Sequence, residues 1–247
     1  MKKWSILILF LCTNIYAQSI QDSVALYMNL TVGEGGSDSL KLASSAKLLS
    51  FLKSMPYKGY DATKAVKYLG HKAGTNVDAE LFSWSVPLKE KMAHYNLFKF
   101  KTGQSFEILC KGLEDEEEYP CCLFYDILGF SSGKKDYCVL FGWNGRKKSE
   151  EKSIYIAAFD EKKGVDFSHA LLRLKGGNEA VSYTLEYRKE AGASLRHDKK
   201  GKRILIDHAS PESSRFEGLP SMYIPDGTFD AFILEKGRWI FEEEVQW

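Results

Sequence analysis

From Glu80 to the end of the chain, apolar residues recur with a period of two, in runs separated by short turns that carry glycine. Alternation sends successive side chains to opposite faces of a strand. Strands joined by such short turns must pair antiparallel, because a parallel partner needs a crossover of about a dozen residues or more. The runs fall at 81–86, ended by Pro87, then at 95–101 and 105–110 across Thr102-Gly103, and at 122–129 and 137–143 across Ser131 to Lys134. They continue at 153–159, at 171–174 and 181–187 around Gly176-Gly177-Asn178, and at 229–234 and 238–245 across Glu235-Lys236-Gly237. With one further hairpin this makes about a dozen strands and no long helix between them. The expected class is mainly β with N-terminal helices (α+β). The body is an antiparallel meander, built as a curved sheet, an open barrel or a sandwich. The spacing of the runs is irregular and supports no propeller repeat.

The further hairpin lies in Ala191 to Pro211 and closes on Asp198-Lys199-Lys200-Gly201. Asp198 can bond the backbone ahead of it, and Gly201 can take the positive φ such a loop demands. If Asp198 faces Lys202, Leu195 lies opposite Leu205, Arg196 opposite Ile204 and Ser194 opposite Ile206. Leu195, Leu205, His197, Arg203 and Asp207 then share one face, and Ile204, Ile206 and His208 the other. Phe141 to Gly145 reads as a strand ending in an Asn144-Gly145 turn.

Before the strands the period is helical. Ile20, Val24, Tyr27 and Met28 mark a first helix. Leu40, Ala43, Ala46, Leu49 and Leu52 mark a second, capped by Asp38 or Ser39 and stopped by Pro56. Asp61 can cap a short third helix carrying Ala65, Val66 and Leu69. These stripes are read as packing faces. The expected organisation is a signal peptide over 1–17, a helical segment over 18–75 packed on the body, and the β body over 76–247.

Lys2 and Lys3, the apolar run from Trp4 to Cys12 and the small residue Ala17 have the layout of a secretory signal. The run is shorter than the roughly 20 residues of a membrane span, and Leu11 before Cys12 disfavours a lipoprotein site. The mature chain is expected to begin near Gln18, outside the cytoplasm, in the periplasm or the medium, with no transmembrane span. The formal charge of +1 falls to about zero without the two lysines, which argues against a nucleic-acid partner. Export permits a disulfide. Cys110 is expected to pair with Cys121 or Cys122, if at all, and Cys138 to stay reduced.

The longest irregular stretch, Ala209 to Asp226, holds half of the six prolines and sits between two hairpins. Loops of that length commonly cover or bind something. Around it stand Arg196, Asp207, His208, Ser210 and Tyr223, the candidate pocket or surface site. Asp207, His208 and Ser210 include an acid, a base and a hydroxyl. Neighbours on a strand point apart, however, and no Gly-x-Ser-x-Gly elbow exists. Asp207 is expected to pair with Arg203 or cap the loop, and Ser210 to shape the turn before Pro211. Glu114 to Glu118 lacks the spacing of a calcium loop, and neither the cysteines nor the histidines have metal-ligand spacing. No metal and no cofactor are expected. Trp84, Trp143, Trp239 and Trp247 are read as core residues, with sugar or partner stacking as the alternative. Trp247, Val245 and Phe241 alternate as in the last strand of an outer-membrane barrel, but Glu243 interrupts that face.

Five stretches carry a resemblance. They are Asn76 to Trp84, the Gly-Trp-Asn-Gly of 142–145, Ser194-Leu195-Arg196-His197-Asp198, Asp207-His208-Ala209-Ser210-Pro211, and Pro225 to Phe232. Together they resemble a family of exported bacterial proteins for which no activity is established, over most of the mature chain. The resemblance implies export and helices followed by a β-rich body, and supplies no catalytic residue. The chain departs from the family pattern at Asn144 (Asp in the family), near Leu195 (Met) and at Ala209 (Leu).

The leading functional reading is a non-catalytic binding or structural module whose partner is a protein or glycan of the cell envelope. The alternative is a hydrolase with a site under the 209–226 loop, built from Asp207, His208 and Arg196. A pocket there, with His208 bonded to a carboxylate and close to a hydroxyl, would favour the enzyme.

Overall fold

The computed structural model describes residues 20–246 except 34, 62, 64, 111–119 and 201. The expected signal peptide, Glu114 to Glu118, Gly201 and Trp247 therefore lie outside the described residues. The chain divides into two compact units, one of residues 1–71 and 79–117 and one of 72–78 and 118–247.

The first unit begins with helix α1, residues 20–32, which buries Ile20, Val24 and Met28. Helix α2, Asp38–Ser54, is capped one residue earlier than expected, by Ser37, whose Oγ accepts the Leu40 amide at 3.3 Å. Its buried face is Ser44, Ser45, Leu48, Leu49 and Leu52, while Leu40 is half exposed. The polar serines hid this face from a hydrophobic pattern. Ser45 has partners: its Oγ accepts the Trp84 indole at 3.2 Å and donates to the Thr31 hydroxyl at 3.4 Å. Met55, placed before Pro56, is extended and ends the helix. The third helix does not form. Asp61 instead closes a turn by accepting the Thr63 amide and hydroxyl, and Tyr68 holds a φ of 69°, which no right-handed helix tolerates.

The strands β1 (Gly70–Ala73), β2 (Ala79–Pro87), β3 (Met92–Phe100) and β4 (Ser105–Cys110) form a sheet in that order. Its apolar side joins the two helices in one core with Phe82, Trp84, Tyr95 and Leu97. Lys99 is buried in this unit. Its ammonium donates to the carbonyl oxygens of Leu52, at 2.7 Å, and Met55, so a cation caps the negative end of α2. Burial lowers the Lys99 pKa, and nearby Glu80 opposes that shift. Burial would raise Glu80, but bonds from His71 (3.0 Å) and the Lys58 amide (2.6 Å) outweigh it and hold the carboxyl below its usual range.

The second unit is a two-sheet sandwich. One sheet has the order β11-β7-β6-β5, from Ser182–Arg188, Ser149–Asp160, Lys135–Gly145 and Leu123–Ser132, with β8 (Gly164–Asp166) paired to β7. The other has the order β10-β9-β15-β14-β13-β12, from Glu179–Ala180, Leu172–Arg173, Arg238–Glu242, Tyr223–Glu235, Arg203–Pro211 and Leu195–Asp198. Phe130, Phe141, Ile154 and Tyr187 from the first sheet meet Leu195, Ile206, Phe232 and Trp239 from the second in one core. Of the three expected forms, this unit takes the sandwich. One pairing departs from the antiparallel rule, since β15 runs parallel to β9. Asn144 and Gly145 are still paired within β6, and the turn follows at 146–148.

The β12–β13 hairpin forms, one residue out of the expected register. Leu195 faces Ile206, Arg196 faces Leu205, His197 faces Ile204 and Asp198 faces Arg203. Ile204, Leu205 and Ile206 are all fully buried, so both faces of β13 are covered and alternation could not choose the register. Asp198 does bond ahead, accepting the Lys200 amide at 3.1 Å, and it also takes the Arg203 guanidinium. Lys202 holds a φ of 52° in this turn. Asp207 therefore pairs not with Arg203 but with Ser194, whose amide it accepts at 2.8 Å.

The two ends of the 209–226 stretch are strand, and its middle, 212–222, is the loop that joins them. After a bulge between Asp207 and Ala209, the pairing resumes with Ala209 opposite Pro225, Ser210 opposite Ile224 and Pro211 opposite Tyr223. Two short 3-10 turns, Ser214–Phe216 and Pro220–Met222, fill the end. The bulge and the prolines had masked the alternation.

Candidate functional site

The five candidate residues fall into two groups. At the bulge, the His208 Nδ1 lies 2.9 Å from Asp230 Oδ2, and its Nε2 lies 3.9 Å from Asp226 Oδ2. Asp230 is buried, and its other oxygen accepts the Glu244 amide at 3.2 Å. A carboxylate only accepts, so the Nδ1 carries the proton. Desolvation would lower the His208 pKa. The bond to Asp230 and the charges of Asp230, Asp226 and Glu243 outweigh it and raise the pKa above the usual histidine value. Asp226 also accepts the amide and hydroxyl of Thr228, at 2.9 and 2.7 Å, and the Ser210 side chain. These bonds overcome the effect of burial and keep its carboxyl low. Tyr223 opens β14, and its hydroxyl reaches into the adjoining loop to accept the Gly218 amide at 3.2 Å.

Arg196 and Asp207 belong to the second group, at the start of β12. The Arg196 guanidinium donates to the Ser194 hydroxyl, and the Lys152 ammonium donates to the Ala193 carbonyl. Burial lowers the Lys152 pKa, against the charges of Asp207 and Glu150. This group holds the entry to the hairpin in place. Among the described residues Asp207 and His208 share no hydrogen-bond partner.

A third place was not foreseen. A cavity of about 540 Å³ opens at the end of the β12–β13 hairpin. Its walls include His197, Lys199 and Lys202 from that hairpin, Phe130 from β5, and Leu234 and Trp239 from β14 and β15. The remaining wall is the segment at Thr75 and Asn76. That segment lies along β5: the Thr75 amide donates to Ile127 at 3.0 Å, and the Gly129 amide donates to Thr75 at 2.7 Å. Gly129 permits the approach, since a Cβ there would lie 2.5 Å from the Asn76 carbonyl oxygen. Asn76 takes the left-handed conformation with a φ of 57°. Trp239 is 2 % exposed, and among the described residues its indole nitrogen has no hydrogen-bond partner; neither has the buried Nδ1 of His197. Burial pulls the His197 pKa down, the charge of Asp126 opposes this, and the result lies below the ordinary value.

Cys110 and Cys121 are disulfide-bonded, while Cys122 and Cys138 keep buried thiols whose pKa burial pushes up, to about 12 for Cys138. Trp84 and Trp239 are core residues, and Trp143 is half-buried, with its indole donating to Glu150 at 3.2 Å. Among the described residues, no group of three or more His, Cys, Asp and Glu side chains is placed to hold a metal ion, and no helix is long and apolar enough to cross a membrane. Compared with protein families, with curated proteins and with solved structures, the chain shows no match.

Proposed function

We propose that this is an exported, non-catalytic binding module, with a protein or glycan of the cell envelope as its partner. The surroundings of His208 support the reading. In a hydrolase the nitrogen opposite the carboxylate-bonded one takes the proton of a nucleophile. Here that nitrogen, Nε2, faces the carboxylate of Asp226, 3.9 Å away. The nearby Ser210 side chain lies beside the same carboxylate and helps to lower its pKa. The ring is braced between two acids, and among the described residues no hydroxyl is hydrogen-bonded to it. Export rests on the leader-like first 17 residues and on the resemblance to an exported family.

The bond of His208 to Asp230 is the one observation that favours the hydrolase, since a catalytic histidine needs such an orienting acid. A fluorophosphonate probe separates the two readings. The mature chain is incubated with the probe and its intact mass measured. No adduct is expected. An adduct on Ser210 that disappears in His208→Ala would overturn the binding reading. N-terminal sequencing of protein recovered outside the cytoplasm tests export, with a start near Gln18 expected and an intact Met1 overturning it.

A further inference from the structure

We propose that the cavity at the end of the β12–β13 hairpin binds a small organic carboxylate, with its acid group on the lysines and its ring or hydrocarbon body on the aromatic wall. The wall chemistry is one-sided. Lys199 and Lys202 are exposed cations that form no ion pair among the described residues, and no Asp or Glu lines the cavity. The Trp239 indole can only donate, and it is buried without an acceptor among the described residues. A buried donor left unmatched costs about 1–3 kcal/mol. The protein keeps this donor in the wall of the cavity, beside the His197 ring. A carboxylate offers an acceptor to the indole and charge to both lysines.

The rest of the lining is apolar. Phe130, Leu128 and Leu234 give a surface that a phosphate or sulfate ion alone would leave uncovered, so the ligand carries a body. Phe130 meets Trp239 edge to face at 5.7 Å, which holds the indole in place. The hairpin turn presents the lysines from one side, and the Thr75–Asn76 segment closes the other. Two kinds of compound share this chemistry: uronic acids, with a sugar face, and aromatic acids.

This inference deepens the binding reading and rests on it for its biological use only. None of the lining residues belongs to the His208 group, so the probe experiment and the one below can fail separately. The mature chain, labelled with nitrogen-15, is titrated with glucuronate, benzoate and inorganic phosphate, and with neutral glucose and benzyl alcohol. The Trp239 indole signal is followed, assigned through Trp239→Phe or, if that variant does not fold, through the backbone of β15. A saturable shift is expected with glucuronate or benzoate, with neither neutral analogue matching it. The stronger of the two identifies the source as an acidic sugar or an aromatic acid. Lys199→Gln with Lys202→Gln, both on an exposed turn, should keep the thermal melt and weaken binding about tenfold or more. An indole signal unmoved by either carboxylate, a shift that phosphate or a neutral analogue reproduces equally, or full affinity in the double variant would each overturn the proposal.

Discussion

Replacing Gly129 by alanine tests the cavity wall directly. The new Cβ would lie 2.5 Å from the Asn76 oxygen, 2.8 Å from the Val77 Cβ and 3.0 Å from the Asn76 carbonyl carbon. None of these is the loose end of a flexible side chain. Restoring ordinary contact moves the 75–77 segment outward by about 1 Å, which stretches the two hydrogen bonds of Thr75, now 3.0 and 2.7 Å. Each is worth about 0.5–1.5 kcal/mol net. Against this, alanine gains about 0.4–1 kcal/mol by restricting the unfolded chain. The balance is a loss of about 1–2 kcal/mol. Urea unfolding of the mature chain reads it, and a fall of roughly 2–8 °C in Tm should accompany it. Gly36→Ala is the control, because its Cβ meets nothing closer than the Lys41 side chain at 3.6 Å, and its stability should hold or rise slightly. A Gly129→Ala protein as stable as the parent would refute the close lie of this segment on β5, and with it one wall of the cavity.

Four further outcomes are expected. His208→Ala should cost about 1–3 kcal/mol in urea melts, because it strips the buried Asp230 carboxylate of its imidazole partner; an unchanged midpoint would mean the bond does not form. His208 and His197 should give opposite slopes of stability with pH between about 5.5 and 8. The raised His208 pKa contributes stability in full below about 6.5, lost as pH rises through the folded value. The lowered His197 pKa works against folding as pH falls below about 6.5. His208→Ala should thus lose stability on acidification relative to the parent and His197→Ala gain it, and matching pH curves for all three would refute both assignments. Gly142→Ala should destabilise, since its Cβ would lie 2.5 Å from the Cys122 Sγ; adding Cys122→Ala, which leaves the next contact at 3.4 Å, should restore most of the loss in a thermal melt. Lys99→Met should lower stability by about 1–3 kcal/mol, because the carbonyls of Leu52 and Met55 lose their donor; a melt equal to the parent's would count against the cap.

The strands were readable from apolar runs bounded by glycine-bearing turns, although β2, β3 and β6 are covered on both faces over most of their length. The hairpin at 195–207 was readable as a hairpin from Asp198 and its turn, but not in register. Ile204, Leu205 and Ile206 are buried in succession, so either register hides three aliphatic residues. The face of α2 was misjudged because Ser44 and Ser45 look like surface residues, and nothing in the helix pattern announces that Trp84 bonds Ser45. The third helix was suggested by Ala65, Val66 and Leu69, and the backbone at Tyr68 denies it. At the candidate site, His208 and Ser210 do meet in one group through Asp226, whereas Asp230, the buried acid, had no marking of its own. The cavity was beyond reach because its walls come from four stretches far apart in the chain. Two of them, the Thr75 segment and the stretch from Leu234 to Trp239, join the rest only through tertiary pairing.

The parallel partnership of β15 with β9 has a kinetic meaning. Trp239 pairs with Leu172, and the Trp239 amide donates to the Leu171 carbonyl at 2.9 Å. β15 stands between β14 and β9, so β9 and β10 have no place in the sheet until β15 arrives. The middle of this sheet must wait for the last described strand. Everything between β9 and β15 closes as one long loop, with the entropy charged before the contact forms. A chain cut before Arg238 would hold the β5-to-β7 and β12-to-β14 meanders but leave β9 without its neighbour in the sheet. The two halves of the sheet are thus joined late, by the strand that comes last among the described ones.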